Sequence, residues 1–546
     1  MRVELVFASY HQTEQVMDKQ KIRDKSSVDN SGVYLLEKGK RGILNVLFGR
    51  TMLIILLLAA QVLLLFQVAR SFRLFQYIYA AQQALNVVFI LHQVNRDTEP
   101  TIKPTWILLV VLLPPVGLML YLFVETDWGH RVLNRRLSRL IEETSAMLPD
   151  RSEIRREIIR KNPELASLSD YLWYQGNFDT YENTEVEYLP SGEASLEAML
   201  RELDKAEKFI FMEFFIIDEG EMWGRILKKL EEKIAEGVEV RVLYDGTCAL
   251  FRLPYRYPRM LAQLGVKCKM FSPLRPMMST HYNNRDHRKI LVVDGKVAFT
   301  GGVNLADEYI NKKQLFGHWK DVSLLLRGDA VEAFTLMFLQ MWNIDERWDD
   351  FSRYLNVGDV GMKARGCVLP FGDSPLDDER VGEMVYMDII NRAQRYVHIM
   401  TPYLILDNEM ITALTFAAKR GVEVAIILPH IPDKKYAFAL AKTHYRQLLR
   451  AGVRILEYTP GFVHAKVFVS DDVKAVVGTI NMDYRSLYLH FECAACLYDC
   501  PAVADVEADF IETAAKCQAV RLEDLKREKL TIRLLGWLMK VLAPLM

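Results

Sequence analysis

The chain has 546 residues, 51% of them apolar and 25% charged, with a formal net charge of −1. That length exceeds what one hydrophobic core serves, so two or three domains are expected, and the composition is that of a mostly globular chain. The near-neutral balance excludes a protein that grips nucleic acid through bulk positive charge.

In chain order, residues 1–42 form a polar tail, and about the first 33 are expected to be poorly ordered. The run Thr51–Ala69 contains 19 uncharged residues between Arg50 and Arg70, and Pro104–Val124 is a second uncharged run of 21. Each is long enough to cross a hydrocarbon core as a helix, with Trp106 and Tyr121 near the interfaces of the second and a kink at Pro114 and Pro115. Leu74–Val94 lies between them, uncharged but with four Gln, one Asn and one His, and reads as a third span or an interfacial helix. Some 50 residues precede the first apolar run, which does not suit a cleaved signal peptide. Arg131, Arg135, Arg136 and Arg139 after the last run predict a cytoplasmic catalytic region, and Lys38, Lys40, Arg41 and Arg50 predict a cytoplasmic N-terminus. Both hold only with an even number of crossings, and the count stays open at this level. The membrane region is thus 43–125, followed by a linker, 126–166.

Beyond about residue 165, apolar runs of strand length alternate with amphipathic runs of helix length, which predicts an α/β fold. The text repeats itself. "EGVEVRVLYD" at 236 matches "RGVEVAIILP" at 420, and "LGVKCKMFSP" at 264 matches "AGVRILEYTP" at 451. "HRKILVVDGKVAFTGGVN" at 287 matches "HAKVFVSDDVKAVVGTIN" at 464. Two units are expected, 167–350 and 351–518, related by a pseudo-two-fold axis. The first carries a longer lead-in, "PLRPMMSTHYNNRD", before its His. Of the seven cysteines, Cys493, Cys496 and Cys500 cluster. Cys493 and Cys496 sit in the apolar run "FECAACLY" without a matching ligand set, so buried reduced thiols are expected there rather than a metal centre.

Residues 519–546 end in "REKLTIRLLGWLMKVLAPLM", where Leu530, Leu534, Trp537, Leu538, Val541 and Leu542 recur at helical spacing. Two readings stand equal. The helix packs its apolar face on the domain, or it lies in a membrane interface.

The repeated polar residues carry the chemistry. His287 and Lys289 are two apart on an extended chain and share a face, as do His464 and Lys466. Two lysines, with the amides of Asn304 and Asn481, suit an anionic phosphoryl group. Two imidazoles suit a two-step transfer with one nucleophile and one general acid, and one neutral with one protonated His is an attainable resting state near pH 7. Asp321 and Glu492 follow their histidines by 34 and 28 residues beside apolar runs, and each is expected to orient one imidazole. Asp294 and Asp471 follow the motif strands, where a supporting role is expected. No metal is required, because the lysines and amides supply the positive field.

The doubled His-x-Lys-x4-Asp string resembles the phospholipase D superfamily. "NNRDHRKILVVDGKVAFTGGVNLADEYI", "FVHAKVFVSDDVKAVVGTINMDYRSLYLHFE", "GHWKDVSLLLRG", "HIMTPYLILDNEM" and "WILLVVLLPPVGLMLYLF" are similar to one branch, the membrane-bound bacterial cardiolipin synthases. The resemblance runs from about residue 50 to the end. It implies two phospholipase D-like α/β/α domains after a transmembrane region, no cofactor, and phosphatidylglycerol and membrane lipids as partners rather than nucleic acid. It implies transfer of a phosphatidyl group from one phosphatidylglycerol to another, giving cardiolipin and glycerol. His287 is then the nucleophile and His464 the acid and base, with Lys289, Asp294, Lys466 and Asp471 completing the catalytic motifs and Asn304 and Asn481 holding the phosphate. A hydrolase, or a transferase with another acceptor, would use the same residues. Two positions depart from the pattern. Gly302 stands where many members of the superfamily have Ser. His490 stands where the branch has Asn, and a tolerated exposed residue is the favoured reading over an altered environment for Glu492.

Overall fold

A computed structural model describes residues 27–28, 34–35, 72–96, 98, 100–113, 116–125, 128–145, 151–273, 284–344, 351–355, 363–377 and 379–543. The expected span at 51–69, nearly all of the polar tail and residues 274–283 of the lead-in loop lie outside the described residues.

Two mixed sheets form the body. The first has seven strands in the order Thr184–Leu189, Ser323–Gly328, Val297–Gly301, Lys289–Val293, Phe209–Phe214, Glu239–Asp245 and Lys267–Phe271. The second follows the same plan with Cys367–Asp373, His490–Tyr498, Lys474–Gly478, Val467–Ser470, Tyr396–Met400, Glu423–Pro429 and Arg454–Tyr458, then adds Cys517–Ala519 at its edge. The motif strands Lys289–Val293 and Val467–Ser470 are therefore central in their sheets. Their continuous apolar text follows, since both faces of each strand are covered.

Side-chain alternation builds three cores. Ile290 and Val292 face a cluster shared by the two units, while Leu291 and Val293 face the outer core of the first unit. Val467 and Val469 join the same shared cluster, and Phe468 faces the outer core of the second unit. The period of two thus lays the inner faces of both sheets against one apolar layer, into which helix Val331–Asn343 inserts Phe334 and Phe338. The helix Ala166–Gly176 begins the first unit in sequence but buries Leu168 and Leu172 in the outer core of the second.

The units also exchange main chain. Arg285 and Asp286 pair in parallel with His490 and Phe491, and His318–Lys320 pairs in parallel with Gly461–Val463. Each exchange ends at a motif histidine. The His287 amide donates to Phe491 O at 2.9 Å, and the His464 amide donates to Lys320 O at 2.7 Å.

The expected single helix over 104–124 is replaced by two, Ile102–Leu112 and Val116–Glu125. Leu113 leaves the helical region at φ −123°, ψ 55°, as a residue before proline does. The chain folds back there. The Trp106 and Tyr121 rings lie 5.4 Å apart, whereas 15 residues of one continuous helix would separate them by roughly 22 Å. Among the described residues no helix is long and apolar enough to cross a membrane. Helix Phe72–Asn95 packs on this hairpin with its polar side inward: Asn86 and Gln93 are buried, while Leu85, Val88, Leu91 and Val94 are exposed.

Candidate active site

The exchanged strands meet over a cleft of about 570 Å³ lined by His287 and His464, by Asn304 and Asn481, and by Arg285 and Arg485 among others. Both motif copies therefore contribute to one site.

The carboxylates cross between the units. His287 Nδ1 lies 2.9 Å from both carboxylate oxygens of Glu492, and His464 Nδ1 lies 2.6 Å from Asp321 Oδ2. Reading Asp321 with the first histidine and Glu492 with the second is thus corrected. The main chain supplies the reason. His287 N is bonded to the carbonyl of Phe491, the residue before Glu492, and His464 N to that of Lys320, the residue before Asp321. Each imidazole is pinned to the strand of the opposite unit that carries its carboxylate, and each Nε2 is left for chemistry.

The two pairs differ in support. Glu492 is fully buried and also accepts from Ser486 Oγ at 2.7 Å and from Thr479 Oγ1. Asp321 is fully buried and accepts from its neighbour Val322 N at 2.8 Å. Gly302 occupies the place in the first copy that Thr479 occupies in the second, and a Cβ there would stand 2.0 Å from Asp321 Oδ1. The glycine makes room for the carboxylate.

Lys289 and Lys466 are buried, and each donates through Nζ to the carbonyl of its own motif histidine. Lys466 Nζ also lies 2.9 Å from His464 Nδ1. Burial and mutual repulsion oppose so much positive charge. Burial, then Lys466, lowers His464 to about 4; burial, then Lys289 and Lys466, holds His287 well below the usual imidazole range. Burial lowers Lys289 to about 8 and Lys466 to about 7. Burial raises Asp321, but the His464 and Lys466 contacts outweigh it and hold the carboxyl ionised. The resting pair judged attainable, one neutral and one protonated His, is not what this cleft favours: burial, reinforced by the two lysines, keeps both imidazoles neutral near pH 7.

Asp294 and Asp471 stand apart from the cleft, at the far ends of the motif strands. Asp294 accepts from the amides of Glu207, Lys208 and Phe209, and Asp471 from those of Gln394, Arg395 and Tyr396, at 2.7–2.9 Å. Both adopt positive φ, 54° and 57°. Membership of the catalytic set is corrected for these two: their carboxylates fasten a neighbouring strand, in the supporting role expected at the strand ends, and do not line the cleft. Asn304 spans Ile216 N, from which Oδ1 accepts at 2.9 Å, and Tyr309 OH, to which Nδ2 donates at 2.7 Å, leaving one amide hydrogen for the cleft. Asn481 Oδ1 has no protein partner.

His490 is not exposed. It is buried at 8% exposure, lines the cleft, and sets its ring 5.4 Å from that of His287, with Nδ1 3.7 Å from Glu492 Oε1. Neither ring nitrogen has a hydrogen-bond partner, and burial lowers its pKa to about 3. His287, His490 and Glu492 bring ligand-type atoms within 4.8 Å of one another. The two buried lysines nearby make that spot unfavourable for a divalent cation. Cys493 and Cys496 face opposite sides of their strand and enter different cores.

Sequence reasoning missed the rim cations Arg285, Lys434 and Arg485 and the aromatic wall of Phe215, Tyr309 and Trp319. Arg285 stands two residues before His287, and on an extended chain that spacing was a usable signal.

Comparison with known proteins identifies relatives of this chain. The model of a family described as cardiolipin synthase, PLD-like domain, matches residues 199–319 and 386–514, and that of a phospholipase D-nuclease N-terminal family matches 84–125. The chain is 33% identical to a cardiolipin synthase of Geobacillus sp. (strain WCH70), covering 84% of this chain and 91% of that protein. It is 32% identical to cardiolipin synthase 2 of Bacillus anthracis, covering 83% and 88%, respectively. It is 50% identical to an uncharacterized protein of Streptococcus mutans serotype c, covering 84% and 99%. Among solved structures, the phosphatidylserine synthase of Haemophilus influenzae Rd KW20 shares the fold with a TM-score of 0.51 at 16% identity, over 66% of this chain and 93% of that one.

Proposed function

The chain belongs to the family of phospholipase D-like cardiolipin synthases, and from that premise we propose that it joins two phosphatidylglycerols through a phosphatidyl-histidine intermediate. The observation that carries the reading is the single cleft in which two imidazoles, one from each unit, are each backed by a buried carboxylate of the other.

The donor phosphate binds between Lys289, Lys466, Asn304 and Asn481, and its charge favours protonation of His464. His287 Nε2 attacks phosphorus, the bond to the terminal glycerol oxygen breaks, and His464 gives that oxygen its proton. Glycerol leaves. Neutral His464 then takes the proton from a hydroxyl of a second phosphatidylglycerol, whose oxygen attacks phosphorus as the phosphorus–nitrogen bond breaks. Cardiolipin leaves and His464 is protonated again, so the cycle balances and runs in either direction. The Glu492 and Asp321 carboxylates stabilise each imidazole as it gains positive charge.

The lipid substrates call for a membrane-associated enzyme. We assign helix Phe72–Asn95, which is not apolar enough to span, to the membrane interface, and the hairpin Ile102–Leu112 and Val116–Glu125 to one leaflet, which it enters and leaves on the same side. The arginines after the hairpin place that side in the cytoplasm. Support comes from the inside-out pattern of helix Phe72–Asn95 and from the closing helix Leu530–Leu542. On that helix Leu530, Leu534, Trp537 and Leu538 are 63%, 51%, 55% and 59% exposed, so the apolar stripe faces away from the domain. Thr105 Oγ1 of the hairpin donates to Val541 O at 2.7 Å, which joins the two apolar surfaces, and Ala543 packs with Tyr484 at the cleft rim.

The test is purified full-length protein in phosphatidylglycerol vesicles, with lipids and free glycerol followed by mass spectrometry. Cardiolipin and glycerol in equal amounts are expected, and acid-quenched enzyme carries a phosphatidyl adduct that His287→Ala lacks. Phosphatidic acid as the sole lipid product would replace the transferase with a hydrolase.

A further inference from the structure

Behind the closing helix lies a second, smaller pocket of different character. It measures about 230 Å³ and sits between helices Lys435–Ala451 and Leu530–Leu542, beside the short helix Leu522–Arg527. Its polar lining is basic: Lys442, Arg446, Lys526 and Arg533 surround it, with Glu528 as the one carboxylate. Glu528 is already engaged by Lys442. Arg446, Lys526 and Arg533 have no carboxylate partner among the described residues, and Arg533 lies 5.8 Å over the Trp537 ring. Residues 521–540 hold six basic and three acidic side chains in a chain whose formal net charge is −1, so this segment is locally positive.

Placement is the second observation. Trp537 and Ile532 line the pocket, and the same helix carries Leu530, Leu534 and Leu538 on its outward stripe. Gly536 fixes the helix close to its neighbour, where a Cβ would stand 2.4 Å from Ala439 O, so helix and pocket wall form one unit. A cationic recess at the edge of an apolar stripe, with an indole between, matches a phosphate headgroup whose acyl chains continue into a bilayer. The pocket is distinct from the catalytic cleft. Lys434 at the cleft rim and Arg446 in the pocket lie on the same helical segment, roughly 18 Å apart along its axis.

We propose that Arg446, Lys526 and Arg533 form a non-catalytic binding site for the phosphate headgroup of an anionic phospholipid. A resident lipid there would seat the closing helix on the membrane and hold its end, Ala543, against the cleft rim.

The experiment uses the full-length chain in nanodiscs, made incompetent for turnover by His287→Ala and His464→Ala, so that its readout is independent of the reaction proposed above. The probe is phosphatidylglycerol bearing a photoreactive group beside the phosphate, and adducts are mapped by peptide mass spectrometry. Adducts are expected on 439–446 and 525–537, and Arg446→Gln/Lys526→Gln/Arg533→Gln should reduce them at least fivefold. Lys228→Gln/Lys296→Gln/Lys419→Gln, which removes the same charge from exposed positions elsewhere, should leave them unchanged. Undiminished labelling in the first variant overturns the site. Equal losses in both variants reduce it to bulk electrostatics and overturn it too. Equal labelling by a photoreactive phosphatidylcholine removes the headgroup preference. Abolition by millimolar glycerol phosphate would make the ligand a soluble phosphate instead.

Discussion

The crossed carboxylates can be tested by removing Asp321's charge while keeping its shape. In Asp321→Asn the buried contact to His464, 2.6 Å in the native enzyme, loses its ionic character. A hydrogen bond to a charged group contributes about 1.5–3 kcal/mol, so turnover of phosphatidylglycerol should fall roughly 10- to 150-fold. The assay separates the two imidazoles with a second substrate, a phosphatidyl ester of p-nitrophenol, whose leaving group departs without a proton at pH 7. Its burst reports attack by the nucleophile and is indifferent to the general acid. Asp321→Asn should therefore keep the burst within about threefold while losing phosphatidylglycerol turnover by the factor above. Glu492→Gln, which acts on His287, should lose both. A lost burst in Asp321→Asn with a normal burst in Glu492→Gln would refute the assignment of His287 as nucleophile. Equal loss of the burst in both would refute the division of labour altogether.

Four further outcomes follow from the geometry. Gly302→Ser, which restores the residue common in the superfamily, should act like Asp321→Asn, since its Cβ would stand 2.0 Å from Asp321 Oδ1 and displace the carboxylate; phosphatidylglycerol turnover with the p-nitrophenyl burst as control reads this. Asp294→Asn and Asp471→Asn should each cost about 1–3 kcal/mol of stability, visible as a lower Tm, with kcat per active site within a few-fold of native. Lys466 and Lys289 titrate near 7 and 8, below the usual lysine value, so their charge is present below those values and lost above; KM for phosphatidylglycerol should rise between pH 7 and 9. Leu534→Gln/Leu538→Gln should preserve activity in detergent and lower it several-fold on vesicles, because both side chains face outward.

Much of the site was legible because period and repetition are local signals. His287 with Lys289 and His464 with Lys466 announced a shared face, and the duplication announced a partner. The pairing of carboxylates was not legible. It depends on two short parallel exchanges between the units, and strands of two or three residues leave no periodicity. Proximity in sequence therefore suggested within-unit pairs. The protonation state was missed for a related reason: four basic groups converge only in three dimensions, and their crowding overrides each reference pKa. The run 104–124 reads as one kinked helix because hydropathy counts length, whereas the chain leaves the helix at Leu113 and its second helix packs back on the first. His490 reads from the sequence as a tolerated exposed residue; only the fold shows that Arg285 pairs with it and that it is buried.

The reciprocal exchange of Arg285–Asp286 and Gly461–Val463 has a bearing on how the enzyme fails. Each imidazole takes its main-chain anchor and its counter-charge from across the seam between the units, so the catalytic constellation belongs to the seam. Anything that loosens it slackens both pairs together, before either sheet has melted. Loss of activity on heating is then a gauge of docking between the halves, and a chain divided between them would regain turnover only by finding its other half.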